Sequence, residues 1–201
     1  MKPALAMTVV LAGAVMLSGS SLATGSARSG ISITRSGRIG SLQLDKSTRA
    51  AVVAAMGRPA AVRAGRFIAA HVSYVALGYD CQSAQGHRTL ELTYRGPYCT
   101  TVFMINRRTG KLADFYTGSR QFEGPGGIHV GIPSAVAERV LHQRLRQACG
   151  QTLGGDTRTA RMTIEFAGGT VRSDGHVVGA HLWYFVLSSR RHDVGLYRTL
   201  C

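Results

Sequence analysis

The sequence predicts an α+β protein: two tandem helix-plus-antiparallel-sheet repeats after a signal peptide. Three observations predict it. Runs rich in β-branched and aromatic residues, several alternating apolar with polar, fill most of the chain beyond residue 60. Two helix-start signals stand far apart, at Ser47-Thr48 and at Pro133-Ser134. The order of helix start, strands and basic turn then recurs once, at a spacing of roughly 80–90 residues. On this reading the chain divides into a signal peptide at 1–27, a flexible arm at 28–38, a first repeat at 39–120 and a second at 121–201.

The first segment is read from its charge and its small residues. Lys2 is its one charge, and an uncharged, mostly apolar stretch follows from Ala4 to Leu17. Ser21-Leu22-Ala23 and Gly25-Ser26-Ala27 both place small residues where signal peptidase needs them. The apolar stretch is shorter than the ~20 residues that a membrane span needs. Cleavage would leave about 175 residues, enough to bury roughly 70% of the unfolded chain's surface, with no transmembrane anchor. The expected location is therefore secreted or otherwise extracytoplasmic. Residues 24–38, rich in Ser, Gly and Arg, read as an arm with a short strand at Ile31–Thr34.

The elements follow in order. Ser47 or Thr48 can accept the free N–H groups of a first helical turn, Ala-rich Arg49–Met56 continues it, and Gly57 with Pro59 ends it. Phe67–Tyr79 reads as one long strand or two short ones, Gln82–His87 as a polar turn and Leu90–Arg95 as a half-buried strand. Thr101–Ile105 and Leu112–Thr117 pair across a turn at Asn106–Lys111, where Gly110 supplies positive φ. A second helix is expected from Gly131–Ser134 to about Ala148, with Ala137, Val140, Leu141, Leu145 and Ala148 on its apolar arc. Strands follow at Met162–Phe166, Thr170–Val171 and His181–Leu187. The turn Ser188–Asp193 leads to a last strand at Val194–Leu200. Gly124–Gly127 reads as a linker, Gly154-Gly155 as a turn, and Trp183 with Tyr184 and Phe185 as core.

All four cysteines, Cys81, Cys99, Cys149 and Cys201, follow the signal segment. An even number in an exported chain points to two disulfides. Cys81–Cys99 and Cys149–Cys201 are the favoured pairs among three connectivities, each contributing on the order of 3–4 kcal/mol. No short Cys-x-x-Cys pair suggests zinc, and no metal or cofactor is expected.

The repeat and its helix starts resemble two known groups. The residues that carry the likeness are Leu44-Asp45-Lys46-Ser47-Thr48-Arg49, Val52 and Gly57-Arg58-Pro59, with Val130-Gly131-Ile132-Pro133-Ser134 in the second half. This pattern resembles the repeat of the small outer-membrane assembly lipoproteins (BamE, also called SmpA or OmlA). It also resembles the tandem halves of β-lactamase inhibitory protein. The resemblance implies helices packed on antiparallel sheets and a binding role. The sequence departs from it in lacking a lipid-anchored cysteine and in its arginine content.

Function is read mainly by exclusion. The ten carboxylates are scattered, the seven histidines form no HExxH or His-x-His, and no Gly-x-Ser-x-Gly elbow occurs. No catalytic residue is assigned. The formal charge is +14, with Arg far outnumbering Lys, which favours anionic partners. Arg107, Arg108 and Lys111 at one turn, and Arg190, Arg191 and His192 at another, form the candidate anion- or partner-binding site, because guanidinium forks grip phosphate and carboxylate. The expected activity is non-catalytic: binding, envelope assembly or inhibition. The expected partner is an envelope or extracellular protein, or an anionic surface polymer, and not nucleic acid. The competing expectation is a secreted hydrolase acting on a cell-wall polymer.

Overall fold

The computed structural model describes residues 30–67, 72–82, 98–148 and 150–192. Three short strands come first: β1 (Ile31–Ser32), β2 (Arg38–Ile39) and β3 (Leu42–Gln43). Helix α1 (Arg49–Met56) starts where Thr48 Oγ1 accepts the Ala51 N–H and stops where Gly57 takes φ 81°. The glycine matters here because a side chain strains that conformation. Strands β4 (Ala61–Phe67), β5 (Val72–Gln82), β6 (Tyr98–Asn106) and β7 (Leu112–Thr117) follow, then β8 (Phe122–Glu123) and a 3-10 turn at Pro125–Gly127. The second half holds α2 (Ser134–Leu141), β9 (Arg146–Ala148), β10 (Gly150–Asp156), β11 (Ala160–Ala167), β12 (Thr170–Val171), β13 (Val177–Val178) and β14 (His181–Ser189). The class is α+β.

Eight of these strands form a single antiparallel sheet in the order β4-β5-β6-β7-β14-β11-β10-β9. Both halves contribute to it, and β7 meets β14 at its middle, with Tyr116 opposite Val186. The expectation of one sheet per half gives way to one shared sheet. Alternation then divides the side chains. Leu77, Phe103, Phe115, Phe185 and Ile164 fall on one face and pack with Val52 of α1 and Ala137 and Leu141 of α2. Each large apolar side chain so buried contributes about 1.5–3 kcal/mol. The opposite face carries a second cluster: Cys99, Val102, Met104, Ala113, Tyr116, Tyr184 and Val186. The Cys81–Cys99 disulfide ties β5 to β6, across residues directly opposite in the ladder.

Several expectations change. α2 ends at Leu141, not near Ala148, because His142 adopts a left-handed φ of 54°. Leu145 is still buried, but from irregular chain, and Arg146–Ala148 is a strand. Val140 is exposed. Gly154-Gly155 is not a turn but part of β10, paired with Thr163 and Met162. Strands β2, β4, β8, β9, β10 and β13 are not among the expected ones, and in β4 the Arg and Gly residues dilute the β signal. Residues 30–38, placed in the arm, join the fold: Ile31 pairs with Phe122, and Ile33 is 1% exposed. Trp183 is not core. It is the unpaired residue of a bulge, since Glu165 faces Tyr184 while Phe166 faces Leu182. The bulge leaves the indole 43% exposed, 5.2 Å from the Tyr184 ring. The expected turn at Gln82–His87, apart from Gln82, and the strands at Leu90–Arg95 and Val194–Leu200 lie outside the described residues. So do Cys149 and Cys201.

Candidate functional site

The six basic residues named from the sequence come to one end of the central strands. Antiparallel pairing dictates this: the end of β6, the start of β7 and the end of β14 share one edge. The two turns are not equivalent in strand order, however. Arg107 and Arg108 lie between the third and fourth main-sheet strands of the first half, whereas Arg190 and Arg191 follow the fourth main-sheet strand described for the second. They meet because the halves share a sheet.

A continuous set of hydrogen bonds joins the two turns. Asn106 Oδ1 accepts from the N–H groups of Arg108, at 2.9 Å, and Thr109, at 3.3 Å. Its Nδ2 donates to the His192 carbonyl at 3.1 Å. Ser189 Oγ accepts from the N–H groups of Arg191, at 3.0 Å, and His192, at 2.8 Å. That hydroxyl donates to Asp45 Oδ1, which also lies 2.9 Å from His192 Nδ1. Asp45 is held in turn, its N–H donating to the Leu112 carbonyl at 2.8 Å. Its φ of 65° is a conformation that Asp and Asn tolerate better than other non-glycine residues.

The electrostatics follow from this placement. Asp45 places a carboxylate inside the cluster and forms an ion pair with His192 when the imidazole is protonated. Arg107, Arg108 and Arg191 are exposed and Lys111 is half-buried; none of the four has an ion pair among the described residues. Arg190 is exposed, and its N–H donates to the Thr159 carbonyl at 3.1 Å. Such an arrangement can gather several anionic groups at once. The Ser189 hydroxyl, which donates to Asp45, is itself buried at 1% exposure.

Sequence reasoning missed Asp45, Asn106 and Ser189. Their spacing carries no signal, because their partners are far away along the chain. Asp45 was visible only as a carboxylate beside a helix start.

Two other polar groups serve the fold. Glu138 on α2 accepts from the Leu145 N–H and contacts His176 Nε2 at 2.9 Å. Asp174 accepts the His176 N–H at 3.0 Å, and that bond, with Arg144 and His176 nearby, holds its carboxyl below the usual range. Together these contacts pin the β12–β13 hairpin to the end of α2. On the helix-free face, Tyr184 Oη donates to Glu165 Oε2. Burial pushes the Glu165 carboxyl up, and this hydrogen bond offsets part of the rise. Among the described residues no group of three or more His, Cys, Asp or Glu side chains is placed to hold a metal ion, and no helix is long and apolar enough to cross a membrane.

The chain matches no protein-family model, and no curated protein is similar to it in sequence. Among solved structures it is similar to the uncharacterized protein YfeY from Escherichia coli, at 12% identity and a TM-score of 0.44, over 79% of this chain and 99% of that one.

Proposed function

We propose that this chain is a non-catalytic binding protein that acts outside the cytoplasm and engages an anionic partner through the basic end of β6, β7 and β14. The observation that carries the reading is the convergence of Arg107, Arg108, Lys111, Arg190, Arg191 and His192 on one edge, from turns 79 or more residues apart in sequence, through Asn106, Ser189 and Asp45. The partner is an anionic surface polymer or an acidic envelope protein. Export rests on the N-terminal pattern and on cysteine use.

The same reading treats the molecule as a tandem repeat of the assembly-lipoprotein or inhibitory-protein kind. Two features support it. Read from either end, the sheet runs through four strands of one half and then four of the other. Each helix also begins at a residue bridged to the start of its half's central strand, Thr48 to Lys111 and Pro133 to His181.

The test is retention on an anionic surface. Each Arg or Lys near such a surface is worth about 1 kcal/mol. Neutralising Arg107, Arg108, Arg190 and Arg191 together therefore weakens low-salt binding to anionic vesicles by roughly a thousandfold. Unchanged retention of the quadruple alanine variant refutes the reading.

A further inference from the structure

We propose that the joined turns are a receptor for a polyvalent phosphate-bearing ligand, and that Asp45 is the positioning residue that holds them as one array. The proposal rests on the anion-site reading above and deepens it.

The first argument concerns which donors are left. The backbone N–H groups of Arg108, Thr109, Arg191 and His192 are already taken by Asn106 Oδ1 and Ser189 Oγ. Among the described residues the two turns therefore offer no nest of free amides to wrap a single small anion. What they offer is the exposed side chains of Arg107, Arg108 and Arg191, which have no ion pair among the described residues. Isolated exposed contacts of this kind are individually weak, so useful affinity needs a ligand that carries several charges at once. Arginine forks match phosphate oxygens in pairs, and phosphate groups can also recruit Lys111 as a point charge.

The second argument concerns Asp45. A carboxylate in the middle of a cation cluster opposes anion binding unless it does something else. Here its Oδ1 is shared by the Ser189 hydroxyl and His192 Nδ1, while its N–H binds Leu112 at the root of the other turn. Without Asp45 the Arg190–His192 turn keeps its attachments through Ser189 and Asn106 but loses its tether to the segment before α1. The charges then sample many separations, and ordering them again costs affinity on every binding event.

These two roles give opposite signs, which makes the experiment decisive. The full chain is tested against phosphatidylglycerol–phosphatidylcholine vesicles and soluble polyphosphate, with orthophosphate and polyglutamate as comparisons, over a range of salt. Asp45→Gly keeps the left-handed backbone, because glycine adopts φ near 65° freely, and removes the carboxylate. Positioning predicts at least threefold weaker binding and a shallower dependence on salt. Asp45→Asn keeps an oxygen that accepts both hydrogen bonds without the charge, and should restore or exceed the original affinity. If Asp45→Gly binds as well as or better than the parent, Asp45 is an electrostatic bystander and the proposal fails. It also fails if Cys81→Ala/Cys99→Ala, which loosens β5 and β6 at the end far from the site, lowers affinity equally. Binding to vesicles alone identifies a headgroup as the phosphate source, binding to polyphosphate alone identifies a soluble polymer, and either supports the proposal. Displacement by millimolar orthophosphate, or equal binding to polyglutamate, overturns it. Loss of binding in the quadruple arginine variant together with a neutral Asp45→Gly sinks the array while leaving the anion site standing.

Discussion

Replacing Cys81 and Cys99 by alanine, and separately Gly78 by alanine, tests how the β5–β6 ladder is stapled. The disulfide closes a separation of 18 residues. Loop-closure entropy for that length gives about 3 kcal/mol of stabilisation. For a domain of this size that is a fall in Tm of roughly 6–12 °C. Gly78 is coupled to the staple by contact. A Cβ there would lie 2.4 Å from Cys99 Sγ and 3.2 Å from Cys81 Sγ, closer than packed atoms tolerate. Gly78→Ala in the oxidised protein should therefore cost about 1–3 kcal/mol, the usual range for overpacking. In the Cys81→Ala/Cys99→Ala background both sulfurs are gone, and the same substitution should cost much less. The assay is a double-mutant cycle by urea denaturation, with coupling of at least about 1 kcal/mol expected between the two changes. Additive effects would refute the argument, because Gly78 would then be required for a reason other than the sulfur atoms above it. A reduced parent as stable as the oxidised one would refute the loop-entropy estimate.

The Glu165 carboxyl lies above its ordinary value, so burying it opposes folding once it ionises. Stability on its account is fullest below the unfolded pKa and declines as pH rises through the folded one. Glu165→Gln should therefore raise the urea midpoint at pH 7 and give little gain near pH 4. Tyr184→Phe should move the Glu165 titration, followed by carboxyl NMR, further upward, and a downward move would contradict the assigned hydrogen bond. Thr48→Ala removes the oxygen that caps α1 and should cost about 1 kcal/mol by the same denaturation assay. Trp183 is the single tryptophan, so native fluorescence should be red-shifted and readily quenched by acrylamide. A blue-shifted, protected emission would argue against its place in the bulge.

Local signals in the sequence were strong where the physics is local. Thr48, the alanine run and Gly57 bound α1 because a side-chain oxygen, helix propensity and positive φ act within a few residues. Leu112–Thr117 and the turn before it were legible for the same reason. α2 was overextended because its apolar spacing continues to Leu145, while the stop comes from one left-handed residue, His142, that is not a usual terminator. Trp183 was misplaced because a bulge breaks the alternation that the reading assumed. The basic residues of the site were visible as chemistry. Their union was not, since Asp45 and Ser189 lie 144 positions apart, and nothing in either neighbourhood names the other.

The parallel pairing of Ile31 with Phe122 bears on the order of events during synthesis. Strand β1 lacks its parallel partner until much of the chain has followed it, and β7 finds its second neighbour, β14, only once residues near 185 exist. A nascent chain halted near residue 120 would carry an open strand edge and an unanchored leading end. Maturation should therefore be a single late event, and emergence of the second half, not of the first, should mark the onset of protease resistance.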